Sequence, residues 1–149
     1  MIVVRPAADA DVPAMSDVLT ASIRDLCGAD HHGDPEIVAR WTANKTVEGV
    51  RAMLANPNAR MFVAEHEGEI AAVGSILGAD EIGLNYVHPA HRFRGVSKAL
   101  LEAMESDLRN GGVAEAKLTA TTTAHRFYLD AGLPEDHAGL VCYPMRKRL

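Results

Sequence analysis

The stretch from Tyr86 to Lys98 reads Tyr-Val-His-Pro-Ala-His-Arg-Phe-Arg-Gly-Val-Ser-Lys, and a Leu100-Leu101 pair follows it. It is an extended apolar segment stopped by a proline, then a basic loop with one glycine, then the start of a helical pattern. The first N–H groups of a helix have no internal partners, and its dipole puts partial positive charge there. Gly95 lets a ligand approach the backbone with no Cβ in the way. Arg92, Arg94 and Lys98 add three cations. Such an arrangement suits an anion, and two linked phosphates would fill it better than one carboxylate. The competing reading is a solvated basic loop that only caps a helix.

Other residues invite chemistry less strongly. Seven histidines are present, and His88 and His91 are three apart, but Pro89 between them works against a regular helix presenting both. No third ligand is marked, so no metal is expected. His31-His32 is read either as a base or substrate contact or as a solvated loop pair. Trp41 is read as a pocket wall or as core. Cys27 reads as a buried small hydrophobe, since no activating neighbour is evident. Asp25, Asp30, Asp34 and Glu36 would attract a cationic amine, or simply be solvated.

The elements that hold these residues follow from period and punctuation. Ile2-Val3-Val4 reads as a strand. Asp9 is the expected cap of a helix with Pro13 in its first turn, running to about Cys27. Gly28 to Gly33 reads as a loop. Asp34-Pro35-Glu36 starts a second helix, and Thr46 caps a third through Leu54. Met61–Ala64 and Ile70–Leu77 form a hairpin through Glu67-Gly68, and Glu81–Val87 is the next strand. Val96–Asn110 is the longest helix, striped by Val96, Leu100, Met104 and Leu108 and ended by Gly111-Gly112. A short strand at Ala116–Ala120, a helix at Thr122–Ala131 and a strand from Gly139 to Arg146 complete the order. The expectation is α/β: a single domain over residues 1–149, with a mixed, largely antiparallel sheet flanked by helices.

With the Val87-His88-Pro89 and Arg92-Phe93-Arg94-Gly95-Val96-Ser97 motifs followed by Leu100-Leu101, the chain resembles the GNAT superfamily of N-acetyltransferases. Ser97 stands where that family usually has glycine or alanine. A second family motif is echoed by Thr121, Ala124 and Tyr128 with Gly132-Leu133 beyond, Thr121 replacing an asparagine and Leu133 an aromatic. The resemblance extends along the whole chain in the order of elements. It implies that acetyl-CoA is the cosubstrate, with its pyrophosphate on Arg92, Phe93, Arg94, Gly95, Val96, Ser97 and Lys98, and with Thr121 also in contact. It implies that the pantetheine arm pairs with Asn85, Tyr86 and Val87 where the sheet splays. One N–H of those three would hold the acetyl oxygen, and sequence does not say which.

The same resemblance implies two proton-handling groups. Tyr128 is expected to protonate the departing thiolate, and Glu81 to act as the base, often through water. Glu81, Gly83 and Asn85 are two apart, so they are expected on one strand face. The expected activity is transfer of acetyl to a primary amine of an acceptor, a small molecule rather than a protein. The alternative is an acyl-CoA-binding or sensing module without turnover.

Composition agrees with that class. The 149 residues are 48% hydrophobic and 23% charged, ordinary for a folded domain, with aromatics at only 5%. At this length a chain buries roughly 68–70% of its unfolded surface, so a core forms without metals or disulfides. A net charge of -5 argues against a nucleic-acid partner. No apolar run reaches the ~20 residues of a membrane span, and Arg5-Pro6 interrupts any leader pattern. Two cysteines make no disulfide framework. A cytoplasmic protein is expected, and the resemblance admits a homodimer.

Overall fold

A computed structural model describes residues 1–120 and 143–149. Its strands are β1 (Ile2–Pro6), β2 (Ala59–His66), β3 (Glu69–Leu77), β4 (Glu81–Val87), β5 (Glu115–Ala120) and β6 (Tyr143–Arg148). They lie side by side in chain order in one sheet. All neighbours are antiparallel except β4 and β5, which are parallel. The helices are α1 (Val12–Leu26), α2 (Gly28–His31), α3 (Pro35–Thr42), α4 (Val47–Ala55) and α5 (Val96–Asn110). Parallel neighbours need a crossover, and α5 is that crossover. The mixed, mostly antiparallel α/β sheet is the expected one.

Both faces of the sheet are covered, which is why β2 and β3 read as unbroken apolar runs. On one face, α5 packs Val96, Leu100, Leu101 and Met104 onto Phe62, Ala72, Ile76 and Ile82. On the other, Val12, Met15 and Leu19 of α1 and Val50 of α4 meet Met61, Val63 and Val73. Close approach of α5 needs Gly74: a Cβ there would lie 2.9 Å from Met104 Sδ. Lys147 Nζ donates to both oxygens of buried Glu105, at 3.2 and 3.1 Å, and ties β6 to α5.

The local signals mostly act as their chemistry dictates. The Asp34 carboxylate accepts from Glu36 N at 2.9 Å, and Thr46 Oγ1 accepts from Gly49 N at 3.1 Å. Glu67 and Gly68, both left-handed (φ 55° and 80°), make the β2–β3 turn. The α1 start differs from expectation. Asp9 pairs with Arg51 at 3.2 Å instead of capping, and Asp11 accepts from Ala8 N while bridging Arg5 at 2.8 Å. The expected loop after Cys27 is also replaced in part by the single turn α2. Pro144 sits within β6, an outer strand, where a missing N–H costs least. The expected helix at 122–131 and the start of the last strand lie outside the described residues. Among those described, no helix is long and apolar enough to cross a membrane.

Candidate active site

The strand that carries the site contains one irregularity. Ser75 faces Leu84 and Ile76 faces Ile82 across β3–β4, so Gly83 is an extra residue, a bulge. A bulge inverts the alternation beyond it. Ile82 packs under α5, yet Leu84 and Tyr86 point to the α1–α4 side and Val87 returns to the α5 side. Glu81 therefore shares a face with Leu84 and Tyr86, while Asn85 is on the opposite one. The expected alignment of Glu81 with Asn85 does not occur, because the extra residue breaks the period-2 count.

The edge of β4 matters as much as its faces. Between β4 and β5 the one registered pair is Glu81 with Lys117, supported by Lys117 N donating to Asp80 O at 3.0 Å. Beyond that point no further β4–β5 pair is registered among the described residues. His88 N donates to Ala71 O at 2.8 Å, toward β3. Peptide groups alternate sides along a strand, so those of Tyr86 also face β3, and those of Asn85 and Val87 face the opening. Two of the three residues expected to pair with an extended ligand thus turn their peptide groups away from β3, with no strand partner among the described residues. Tyr86 contributes its side chain instead, on the face away from α5.

The loop after β4 opens toward the same side of the chain's chemistry. His88 Nδ1 accepts from Ala90 N at 3.0 Å and fixes the turn Pro89–His91. Phe93 and Gly95 are both left-handed (φ 63° and 78°), a backbone shape that gathers N–H groups to one side. Gly95 is the N-cap of α5 and offers no side chain, while Ala99 N is the group that closes back onto Gly95 O at 3.0 Å. The N–H groups of Val96, Ser97 and Lys98 precede that bond and are available. Val96 is buried and anchors the turn, whereas Phe93 is 90% exposed with Arg92 stacked on its ring at 4.5 Å. Arg92, Arg94 and Lys98 are exposed and have no carboxylate partner among the described residues. A Cβ at Gly95 would meet nothing within 4 Å, so the space before the helix is open.

Asn85 links this loop to the open edge. Its Nδ2 is 3.5 Å from Ser97 O, at the limit of a hydrogen bond, and its Oδ1 is buried with no partner among the described residues. A buried acceptor left unpaired costs about 1–3 kcal/mol, so a donor from a bound ligand would be favoured there. The pyrophosphate and amide-bearing arm of a CoA thioester fit this set: an anion cradle, a free strand edge and one orphan acceptor.

The histidines have other duties. His91 is buried, with Nδ1 3.0 Å from His66 Nδ1 and Nε2 3.3 Å from Glu69 Oε2. His31 is also buried: Nδ1 accepts from Gly33 N at 3.0 Å, so Nε2 carries the proton and donates to Ile23 O at 2.9 Å. That ring is fully engaged and holds α2 to α1, so His31 is neither the base or substrate contact nor the solvated loop residue of its two readings. Among the described residues no group of three or more His, Cys, Asp or Glu is placed to hold a metal ion. Cys27 is buried, and its thiol is pushed up to about 11 by burial and by Asp30, away from nucleophilic use.

Sequence reasoning passed over the face of β4 opposite α5. Two adjoining cavities open there, of about 330 and about 190 Å³, sharing Asn44 and Lys45 on the α3–α4 connection. The larger is walled by Trp41 and Tyr86, and the smaller reaches Gly83 and Leu84. Burial pushes the Tyr86 phenol up to about 12, with Cys27 and Asp30 adding to the shift. No motif marks Arg40, Asn44 or Lys45; only the meeting of two helix ends with the bulged strand brings them together. Thr121 and Tyr128 lie outside the described residues.

A family model described as an acetyltransferase (GNAT) domain matches residues 29–149. No curated protein matches the sequence. Among solved structures, the chain is similar to one described as a GCN5-related N-acetyltransferase (aminotransferase, class II) from Rhodopseudomonas palustris. That match has a TM-score of 0.87 at 23% identity and covers 99% of this chain and 95% of the other. A PaiA N-acetyltransferase from Thermoplasma acidophilum, solved in complex with coenzyme A, gives 0.83 at 16% identity over 100% and 99%. An acetyltransferase from Thermus thermophilus gives 0.73 at 16% identity over 100% and 97%. At these identities the likeness carries the fold.

Proposed function

Because the chain belongs to the GNAT acetyltransferase family, we propose that it moves the acetyl group of acetyl-CoA directly onto the amine of a small acceptor. The observation that carries this reading is the coincidence of three features on one strand and its loop. Among the described residues they are the uncapped α5 N-terminus with three cations that have no carboxylate partner, the β4 edge at Asn85 and Val87 that no strand pairs, and the unpartnered Asn85 Oδ1 between them. The pyrophosphate binds the loop and the arm lies along the edge, which brings the thioester toward the middle of β4. The amine nitrogen attacks the carbonyl carbon, the N–C bond forms, and charge grows on the acetyl oxygen. An N–H of Asn85 or Val87 stabilises that oxygen. The C–S bond then breaks, the thiolate takes a proton from Tyr128, and the amine's proton passes to a base.

Glu81 is the base in this reading. It stands on the same face as Leu84 and Tyr86, and its cross-strand neighbour Leu77 borders the smaller cavity, so water there can relay the proton. An alkyl ammonium of pKa near ~10 must lose a proton before attack. The deficit of Glu81→Gln is therefore expected to be greatest at low pH and to shrink as the free amine becomes plentiful, with acetyl-CoA affinity unchanged. A pH–rate profile identical to the parent's removes Glu81 from the mechanism.

The reading as a whole is tested by calorimetry with acetyl-CoA, then by thiol release across a panel of amines. Saturable binding with amine-dependent release above hydrolysis is expected. Binding without release under any amine favours a sensing module instead, and absence of binding overturns both.

A further inference from the structure

The acceptor side of the site carries a charge pattern of its own. Arg40 and Lys45 are the charged residues lining the two cavities beside β4, and both are cations. Neither has a carboxylate partner among the described residues: Lys45 Nζ donates to the neutral Asn44 Oδ1 at 2.6 Å. Lys45 is half-buried, and burial holds its ammonium below the ordinary lysine range, the mark of a charge short of solvent. The nearby acids are committed elsewhere. Asp25 pairs with Arg24 at 3.0 Å, Asp34 caps α3, Asp17 faces His88 at 3.7 Å, and Asp30, whose charge reaches Tyr86, is not free.

We propose that the acceptor is an amine that also bears a carboxylate, held by Lys45 and Arg40 while Trp41 and Tyr86 flank its body. This inference rests on the acetyltransferase reading and deepens it. A polyamine or other polycation would bring further positive charge to two cations and meet no carboxylate among the residues lining the two cavities. A carboxylate instead gives Lys45 the counter-charge that its position lacks. The same cations disfavour the ammonium form of the acceptor's own amine, which helps present it unprotonated to the thioester.

The experiment compares α-amino acids with their amides and their decarboxylated amines, and with spermidine, under saturating acetyl-CoA with thiol release as the readout. The acid form is expected to exceed its amide and its decarboxylated amine in kcat/KM by roughly 10–100-fold, the range for a hydrogen bond to a charged group. In Lys45→Met, and in Arg40→Gln, that ratio is expected to fall toward one, through KM more than kcat. Equal or better use of the amides, amines or spermidine by the wild-type protein overturns the inference while leaving the acetyltransferase reading intact. So does an acid preference that survives in both variants. Thiol release that no amine raises above hydrolysis overturns the underlying reading and this inference with it.

Discussion

Gly95→Glu is expected to abolish acetyl-CoA binding in a protein that stays folded. Gly95 sits at φ 78° immediately before α5, and a side chain there would enter open space and not a packed neighbour. The fold therefore pays only for an L-residue in the left-handed region, about 1–2 kcal/mol. That is small beside the roughly 5–15 kcal/mol by which domains are stable. The ligand loses much more. The glutamate occupies the space before the free N–H groups of Val96, Ser97 and Lys98, and its charge repels the phosphates those groups should receive. Calorimetry should show affinity down by more than 100-fold, at least about 2.7 kcal/mol. Gly95→Ala separates the two effects, since it carries the same backbone strain without the charge and most of the bulk. It should melt like Gly95→Glu yet bind acetyl-CoA far better. An unchanged Kd in folded Gly95→Glu would place the pyrophosphate elsewhere.

That loop was legible because each of its devices is local. A proline ends β4, a glycine precedes α5, and the stripe from Val96 to Leu108 ends at Gly111-Gly112, so Val96–Asn110 is both the expected and the observed helix. The caps at Asp34 and Thr46 are local in the same way. What escaped the sequence depends on partners far along the chain. Asp9 and Asp11 look alike as caps, but Arg5 on β1 claims Asp11 and Arg51 on α4 claims Asp9. Gly83 is a subtler case. A lone glycine in a strand hints at a bulge, yet only the register against Ser75 and Ile76 reveals the inversion that parts Glu81 from Asn85. The two cavities beside β4 were the least legible feature, because Arg40 and Lys45 belong to no motif and meet Tyr86 only through packing.

The second large effect is expected at Tyr128, outside the described residues, whose role rests on its place in the second family motif. When the amine attacks, sulfur leaves as a thiolate whose conjugate acid has a pKa near ~8.5. An ordinary phenol, near ~10, stays protonated at neutral pH and is close enough in acidity to hand over its proton or to hydrogen-bond the sulfur. Tyr86 is a poorer donor: burial, Cys27 and Asp30 push its phenol up to about 12, and its ring walls the larger cavity beside β4. Tyr128→Phe keeps the ring, so acetyl-CoA affinity and Tm should barely move while turnover falls roughly 10²–10⁴-fold, the usual loss for a general acid. Tyr86→Phe should act mainly on acceptor KM. Two results would reassign the proton. A Tyr128→Phe enzyme that acetylates at the wild-type rate while chemistry limits turnover would make Tyr128 a packing residue. A turnover loss concentrated in Tyr86→Phe would move the acid to β4, where burial would have to be relieved by the bound thioester.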